Sequence, residues 1–367
     1  MAIKMYKVET DYNSLPGDTI RESLEEINMT QSELAENMGT TRKHISEVIS
    51  GKTRILPETA NQLEYVFDVP AKFWLNLQLQ YDDFLEKKRN EKELEENNEY
   101  SKKFPYTELS KAGLVPNTKN KSERLDNILK FFRVSSIEVL KKKINDDPLS
   151  IGAFRASDDK FKVNNYSLHS WLQAGIIKAN NIETEDFDAK KLKTLIPEFR
   201  RLSLETDIKK FFPKLQKLAA STGIAVVIVP ELPKSRVSGC TRWLSPYPKA
   251  VIELSIRQKT HDNFWFTFFH ELGHIVLHKK SPFFTINQEY GKTNEEKEAD
   301  NWAANVLIPK KSWESFIEKG DFTRKSIELF ANSIDIHEDI VLGRLQNEKY
   351  LDYRQLSNLH VRYKFAK

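Results

Sequence analysis

Cysteine is nearly absent: one thiol, Cys240, in 367 residues leaves no internal disulfide framework and fits a reducing compartment. Long apolar runs are missing as well. No stretch reaches the roughly 18 residues a membrane span needs, and the N-terminus lacks the apolar core of a secretion signal. The expectation is a cytoplasmic protein with no membrane partner. Charge of one sign is also scarce. With 57 basic and 53 acidic side chains, the formal net charge of +4 is too small to demand a nucleic-acid partner by itself. No internal repeat is visible. What is present is an ordinary globular composition, 39% hydrophobic and 30% charged, over a length that suits two or three domains.

The most informative stretch is His270-Glu271-Leu272-Gly273-His274. On a helix, residues i and i+4 share a face, so both imidazoles can reach one metal ion while Glu271 points to a neighbouring part of the surface. This is the H-E-x-x-H pattern of zinc peptidases, in which the glutamate serves as general base. The run Asn263 to Phe269 before it is almost wholly apolar, which predicts a buried helix. Downstream, residues 295–309 read as a second amphipathic helix, with Ala299, Trp302, Ala303, Val306 and Leu307 on one face and Pro309 as its stop. Glu298 lies at the edge of that face and can turn inward to complete a His-His-Glu set; Glu295 and Glu296 compete for the role. His278 continues the i+4 series and is assigned a supporting role. Cys240 is read as a small buried residue. An oxyanion-stabilising donor is also required, with His337, Arg344 and Tyr290 as candidates.

The run Phe264 to His278, with Glu298-Ala299-Asp300 and Ala303 to Pro309, resembles the ImmA/IrrE family of metallopeptidases. Gly223 to Val226, Gly239-Cys240-Thr241, Val251 to Ser255 and Gly343 to Gln346 add to the likeness, which covers roughly residues 195–350. The resemblance implies zinc as cofactor, His270, His274 and Glu298 as its ligands, Glu271 as the catalytic base, and a protein substrate such as a helix-turn-helix repressor.

Near the other end, Thr30-Gln31-Ser32-Glu33 is a capping box that opens a short helix ended by Gly39. Thr40-Thr41-Arg42-Lys43 starts a second helix that stops at Gly51, so the pair reads as a helix-turn-helix. The N-terminal residues of its second helix would meet base edges in the major groove. Thr30 to Lys52 resembles the lambdoid phage repressor domain. With Leu15 to Asp18 before it and Pro70 to Gln78 after it, the nearer likeness is to HigA-type antitoxins. That likeness implies operator DNA and a toxin partner, and a palindromic operator would imply a twofold homodimer. Thr41, Arg42, Lys43 and Ser46 would then face bases, and Gln31, Lys52 and Arg54 would hold phosphates. Glu47 departs from the usual neutral residue on that face. Acidic residues outnumber basic ones over residues 1–80, so the basic footprint is small.

Four segments are expected: a helix-turn-helix domain over 1–85, a charged helical linker over 86–103, a mainly helical middle region over 104–194 and a peptidase domain over 195–367. Leu125, Ile128, Leu129 and Phe132 predict one middle helix. Phe154-Arg155 and Trp171-Leu172 resemble segments of longer antitoxin–peptidase fusions. Val226 to Val229 and Ala250 to Leu254 are the predicted strands. The fold class is thus mainly α in the N-terminal and middle regions, with an α+β zincin-like C-terminal domain whose small sheet lies beside the H-E-x-x-H helix.

Overall fold

The computed structural model describes residues 15–146, 163–244, 249–278, 283–286 and 294–363, the strand 283–286 by its backbone alone. Two compact units emerge: residues 1–98 with 121–123, and residues 99–120 with 124–367.

In the first unit, α1 (Pro16–Glu26), α2 (Gln31–Asn37), α3 (Arg42–Ile49), α4 (Pro57–Phe67) and α5 (Ala71–Glu96) enclose one core. Ile20, Leu24, Leu34, Ile45, Val48, Leu63 and Trp74 meet there. The capping box forms: the Glu33 carboxylate accepts from the Thr30 N–H at 2.7 Å, and the Glu33 N–H donates to Thr30 Oγ1 at 3.2 Å. Gly39 sits at φ +65° in the turn between α2 and α3, a conformation that favours glycine. α5 buries only Trp74 and Gln78, and it runs on through the charged stretch to Glu96 as a solvated helix.

In the second unit, α6 (Tyr106–Lys111), α7 (Lys121–Phe132), α8 (Ile137–Asn145) and α9 (Asn165–Asn180) form the helical middle region. Leu125, Ile128 and Phe132 are buried as their spacing predicts; Leu129 is half-buried. Phe154 and Arg155 lie outside the described residues. α10 (Ala189–Arg201) and α11 (Ile208–Ala220) lead into the sheet.

Among the described residues the sheet has four strands, β1 (Ile224–Ile228), β2 (Val237–Leu244), β3 (Lys249–Leu254) and β4 (Phe283–Ile286), in the order β1-β3-β2-β4. β1 and β3 run parallel, and β2 runs antiparallel to both of its neighbours. Helices cover both faces of the β1–β3 pair. Ile224, Val226 and Ile252 join the core that holds Phe264, Trp265, Phe268 and Leu272, whereas Ala225, Val227 and Val251 pack with Ala179 of α9. Burial on both sides explains why these two strands read as unbroken apolar runs. α12 (His261–Leu277) lies against β2 and β3 and packs along α13 (Asn294–Leu307). α14 (Lys310–Lys319), α15 (Arg324–Ser333) and α16 (Glu338–Asn347) close the unit. This is the expected α+β arrangement, with two more strands than predicted.

Candidate metal centre and DNA-reading helix

α12 is buried almost all round from Phe264 to Ile275, so its polar residues are held in place by packing. His270 and His274 present their Nε2 atoms to each other at 3.0 Å. Glu296, in the first turn of α13, brings Oε2 to 3.2 Å from His270 Nε2 and Oε1 to 3.3 Å from His274 Nε2. These three side chains form one of three groups of potential metal ligands among the described residues. Asp300, one turn further along α13, bonds His270 Nδ1 at 2.8 Å and thereby sets the orientation of that ring. Gly273 allows the two helices to close: a Cβ there would sit 3.1 Å from Trp302 Cε3 and 3.3 Å from the Ala299 backbone.

Charge reinforces the grouping. Burial disfavours a charged His270, but hydrogen bonds to Asp300 and Glu296 outweigh it and raise the imidazole to about 10. Burial would likewise raise Glu296, yet His270 and His274 hold its carboxyl down at about 2. Without a metal the pair is therefore an ion pair, and a cation entering the site must displace a proton.

The structure replaces Glu298 with Glu296 in this group. Glu298 has a side chain 64% exposed and lies 3.2 Å from His278 Nε2. The reason is helical phase. Counting back from the buried Ala303 and Leu307, Glu296 falls at i−7 and i−11 on their face, while Glu298 is turned well away from it. Glu295 is exposed. His278 lies beside the site, with its Nδ1 3.0 Å from His274 Nδ1.

Glu271 is wholly buried beneath β2. Thr241 Oγ1 lies 2.7 Å from its Oε2 and 2.9 Å from its backbone oxygen. Gly239, two residues earlier on the same face, leaves room for the carboxylate: a Cβ there would stand 2.5 Å from Glu271 Oε1. The other side of β2 faces away from the metal helix. Cys240 is buried there, as expected, and Arg242 bonds Glu253 Oε2 at 3.0 Å and the Leu172 carbonyl of α9 at 2.9 Å. Gly175 of α9 makes space for Glu253, because its Cβ would fall 1.8 Å from Oε2. Burial pushes the Glu253 carboxyl well up, against the opposing pull of Arg242.

Two oxyanion candidates have other work. Arg344 donates to the carbonyls of Ala304 and Ile308 and to Glu348, and stacks over Trp313. His337 is the N-cap of α16, its Nδ1 lying 3.0 Å from Asp339 Oδ1 and 3.3 Å from the Asp339 backbone nitrogen. Tyr290 lies outside the described residues. Thr241, Gly239 and Asp300 had gone unassigned in the sequence. The four-residue interval from Glu296 to Asp300, matching that from His270 to His274, was the available signal for Asp300.

In the first unit, Thr41 caps α3 by accepting from the His44 N–H at 3.2 Å, and Arg42, Lys43 and Ser46 are exposed along the start of that helix. Lys43 lies 3.8 Å from Glu47. Lys52 is exposed and Gln31 half-buried. Arg54 is less free than its sequence position implies, because Asp82 of α5 forms an ion pair with its guanidinium.

A helix-turn-helix family model matches residues 20–74, and an IrrE N-terminal-like domain model matches residues 225–329. Over 63 residues the chain is 40% identical to the uncharacterized HTH-type transcriptional regulator YddM of Escherichia coli (strain K12), covering 17% of this chain and 67% of that one. The chain belongs to the HTH-type transcriptional regulators. The regulator is also 36% identical over 77 residues to the uncharacterized HTH-type transcriptional regulator YbaQ of the same organism, covering 21% of this chain and 68% of the relative. A solved addiction module antidote protein of a HigA family from Coxiella burnetii shares 28% identity, with a TM-score of 0.22; the match spans 23% of this chain and 92% of that one. The regulator's IrrE N-terminal-like domain contains β2, α12 and α13, and with them every residue of the His270 site named above. No helix of the described residues is long and apolar enough to cross a membrane.

Proposed function

We propose that this regulator reads operator DNA through α3 and that its C-terminal domain is a zinc-dependent endopeptidase acting on a regulatory protein. That protein is a repressor, a toxin partner or the chain itself. The observation that carries the enzymatic part is the convergence of His270, His274 and Glu296 beside Glu271. The donor set fits zinc. A tetrahedral ion with bonds of about 2.0–2.1 Å holds its ligands about 3.3 Å apart, and these atoms lie 3.0–3.3 Å apart. With Nδ1–H of neutral His270 donated to Asp300, the lone pair of Nε2 is left facing the cluster. Three protein ligands also leave a fourth position, as catalytic rather than structural zinc requires.

Zinc bound there would supply Lewis acidity and an activated water at neutral pH. The chain's own part is the proton. Thr241 holds Glu271 Oε2, and the Glu271 carboxylate would take the proton of the attacking water and return it to the departing amine. The buried position of His270, Glu271 and His274, each at 1% exposure or less, favours a second reading for the resting molecule. In that reading the domain is a latent module of an antitoxin-like repressor, and cleavage awaits a change that opens the site. On the DNA side, Thr41, Arg42, Lys43 and Ser46 face base edges while Gln31 and Lys52 hold phosphates; Arg54 shares its guanidinium with Asp82. A palindromic operator would pair two copies of the chain about a twofold axis. The protein works in the cytoplasm.

The test is a comparison of protein N-termini in cells making the wild type or Glu271→Gln. New N-termini that depend on Glu271 support the peptidase. Identical sets under every induction condition leave a DNA-binding regulator with a silent domain.

A further inference from the structure

Residues 1–98 carry 12 basic and 19 acidic side chains, so the unit with the DNA-reading helix is net acidic. The remaining residues hold 45 basic and 34 acidic side chains, and the imbalance is strongest on α10 and α11. Lys193, Arg201, Lys209, Lys210, Lys214 and Lys217 are all exposed there, with Lys190 and Lys191 beginning α10. The few acids between them are largely committed. Asp188 and Asp207 accept backbone N–H bonds as N-caps, and Glu205 Oε1 accepts from the Asp207 N–H. Among the described residues none of these six cations forms an ion pair. Several other surface cations are paired: Lys87 with Asp83, Lys130 with Asp126 and Arg324 with Glu328, each at i,i+4.

The sequence of these two helices denies the cations such partners. Lys193 and Lys217 have Pro197 and Pro213 at the four-residue interval, and Lys210 faces Lys214, a like-charge pair that destabilises a helix. Arg201 and Lys214 border one shallow groove of about 670 Å³, together with Glu198 and Glu205, which places cations of both helices on one surface. Below that surface the helices are well anchored, with Leu192, Phe199, Phe211 and Leu215 in the core. The excess positive charge is therefore displayed on a rigid face.

We propose that the α10–α11 face binds the phosphate backbone of duplex DNA, without reading sequence, and supplies the electrostatic attraction that the acidic first unit lacks. This rests on the DNA-binding reading of the helix-turn-helix. Tethering in one chain makes the second contact intramolecular once α3 has engaged its site, so modest phosphate contacts add substantially to affinity. Each phosphate neutralised releases counterions and steepens the salt dependence of binding.

The experiment titrates a fluorescent 30-base-pair duplex of mixed sequence with the full chain, by anisotropy, between about 50 and 300 mM KCl. A variant carrying Lys209→Gln, Lys210→Gln, Lys214→Gln and Lys217→Gln is compared with one carrying Lys310→Gln, Lys311→Gln, Lys319→Gln and Lys325→Gln, which changes net charge equally on α14 and α15. Circular dichroism checks that both fold. At about 0.9 in slope per lost phosphate contact, the first variant should lower the salt slope by about 2–4 and weaken binding at 100 mM salt at least about tenfold. The second should stay within about twofold of wild type. Equal slopes for the first variant and wild type overturn the assignment while leaving DNA binding by α3 intact. An absence of duplex binding by wild type at 50 mM salt overturns both. Retained duplex binding with loss of binding to polyglutamate would instead make the face a dock for an acidic protein.

Discussion

Thr241→Val takes one hydroxyl from a site closed to water and leaves the shape of the side chain almost unchanged. The Glu271 carboxylate beneath it is wholly buried and receives that hydroxyl at 2.7 Å. A hydrogen bond to a charged group contributes about 1.5–3 kcal/mol, and a buried acceptor deprived of its donor bears the loss in full. For a unit of this size each kcal/mol shifts the melting point by about 2–4 °C, so the substitution should lower Tm by about 3–12 °C. The assay is calorimetry of the metal-free full chain, following the transition of the second unit. Thr241→Ser, which keeps the hydroxyl, should melt within about 2 °C of wild type. In a Glu271→Gln background the valine substitution should cost only about 0.5–1.5 kcal/mol, the range of a neutral bond. The reasoning fails if valine melts with wild type, or if serine falls as far as valine.

Other outcomes follow from the same geometry. Gly239→Ala places a methyl 2.5 Å from Glu271 Oε1 and 2.9 Å from Thr267 Cγ2, so it should cost about 1–3 kcal/mol and abolish cleavage while zinc stays bound; cleavage at wild-type rate would contradict it. Asp300→Asn should weaken zinc affinity about 10- to 100-fold by releasing His270, measured by competition with a chromophoric chelator. On the alkaline side, burial opposes charge on His337 but the Asp339 carboxylate overrides it and raises the imidazole. Its stabilisation is complete below the ordinary histidine value of 6.5 and is lost as pH rises through the higher folded value. Asp339, held down at about 2 against burial by His261 and His337, loses its own contribution only as pH falls through that value. Melting curves of His337→Gln should therefore decline less than wild type above neutral pH, and parallel curves would refute the coupling.

The sequence was most legible where chemistry demands a local spacing. The Thr30–Glu33 box, the αL glycine of the turn and the His270–His274 interval each need only neighbours in the chain, and each is found in place. It was less legible where a residue's role is set across the fold. Thr241 and Gly239 sit on β2, a strand whose glycine, serine and arginine break the pattern of a half-buried strand. Those interruptions have their reason in the packing, since Gly239 yields space to Glu271 and Arg242 bonds Glu253. Three glutamates within four residues could not be separated by composition. Only the phase fixed by Ala303 and Leu307 selects Glu296. The carbonyl partners of Arg344 are likewise tertiary, and nothing in the chain near it announces those of Ala304 and Ile308.

The most direct test of the central claim is the metal content of purified protein by mass spectrometry, for the wild type beside His270→Ala, Glu296→Ala and Glu298→Ala. The geometry predicts about one zinc per chain in the wild type and in Glu298→Ala, and loss of the metal in His270→Ala and Glu296→Ala. Zinc retained in Glu296→Ala but lost in Glu298→Ala would contradict the ligand set, and a wild type that takes up no zinc would contradict the metal centre itself.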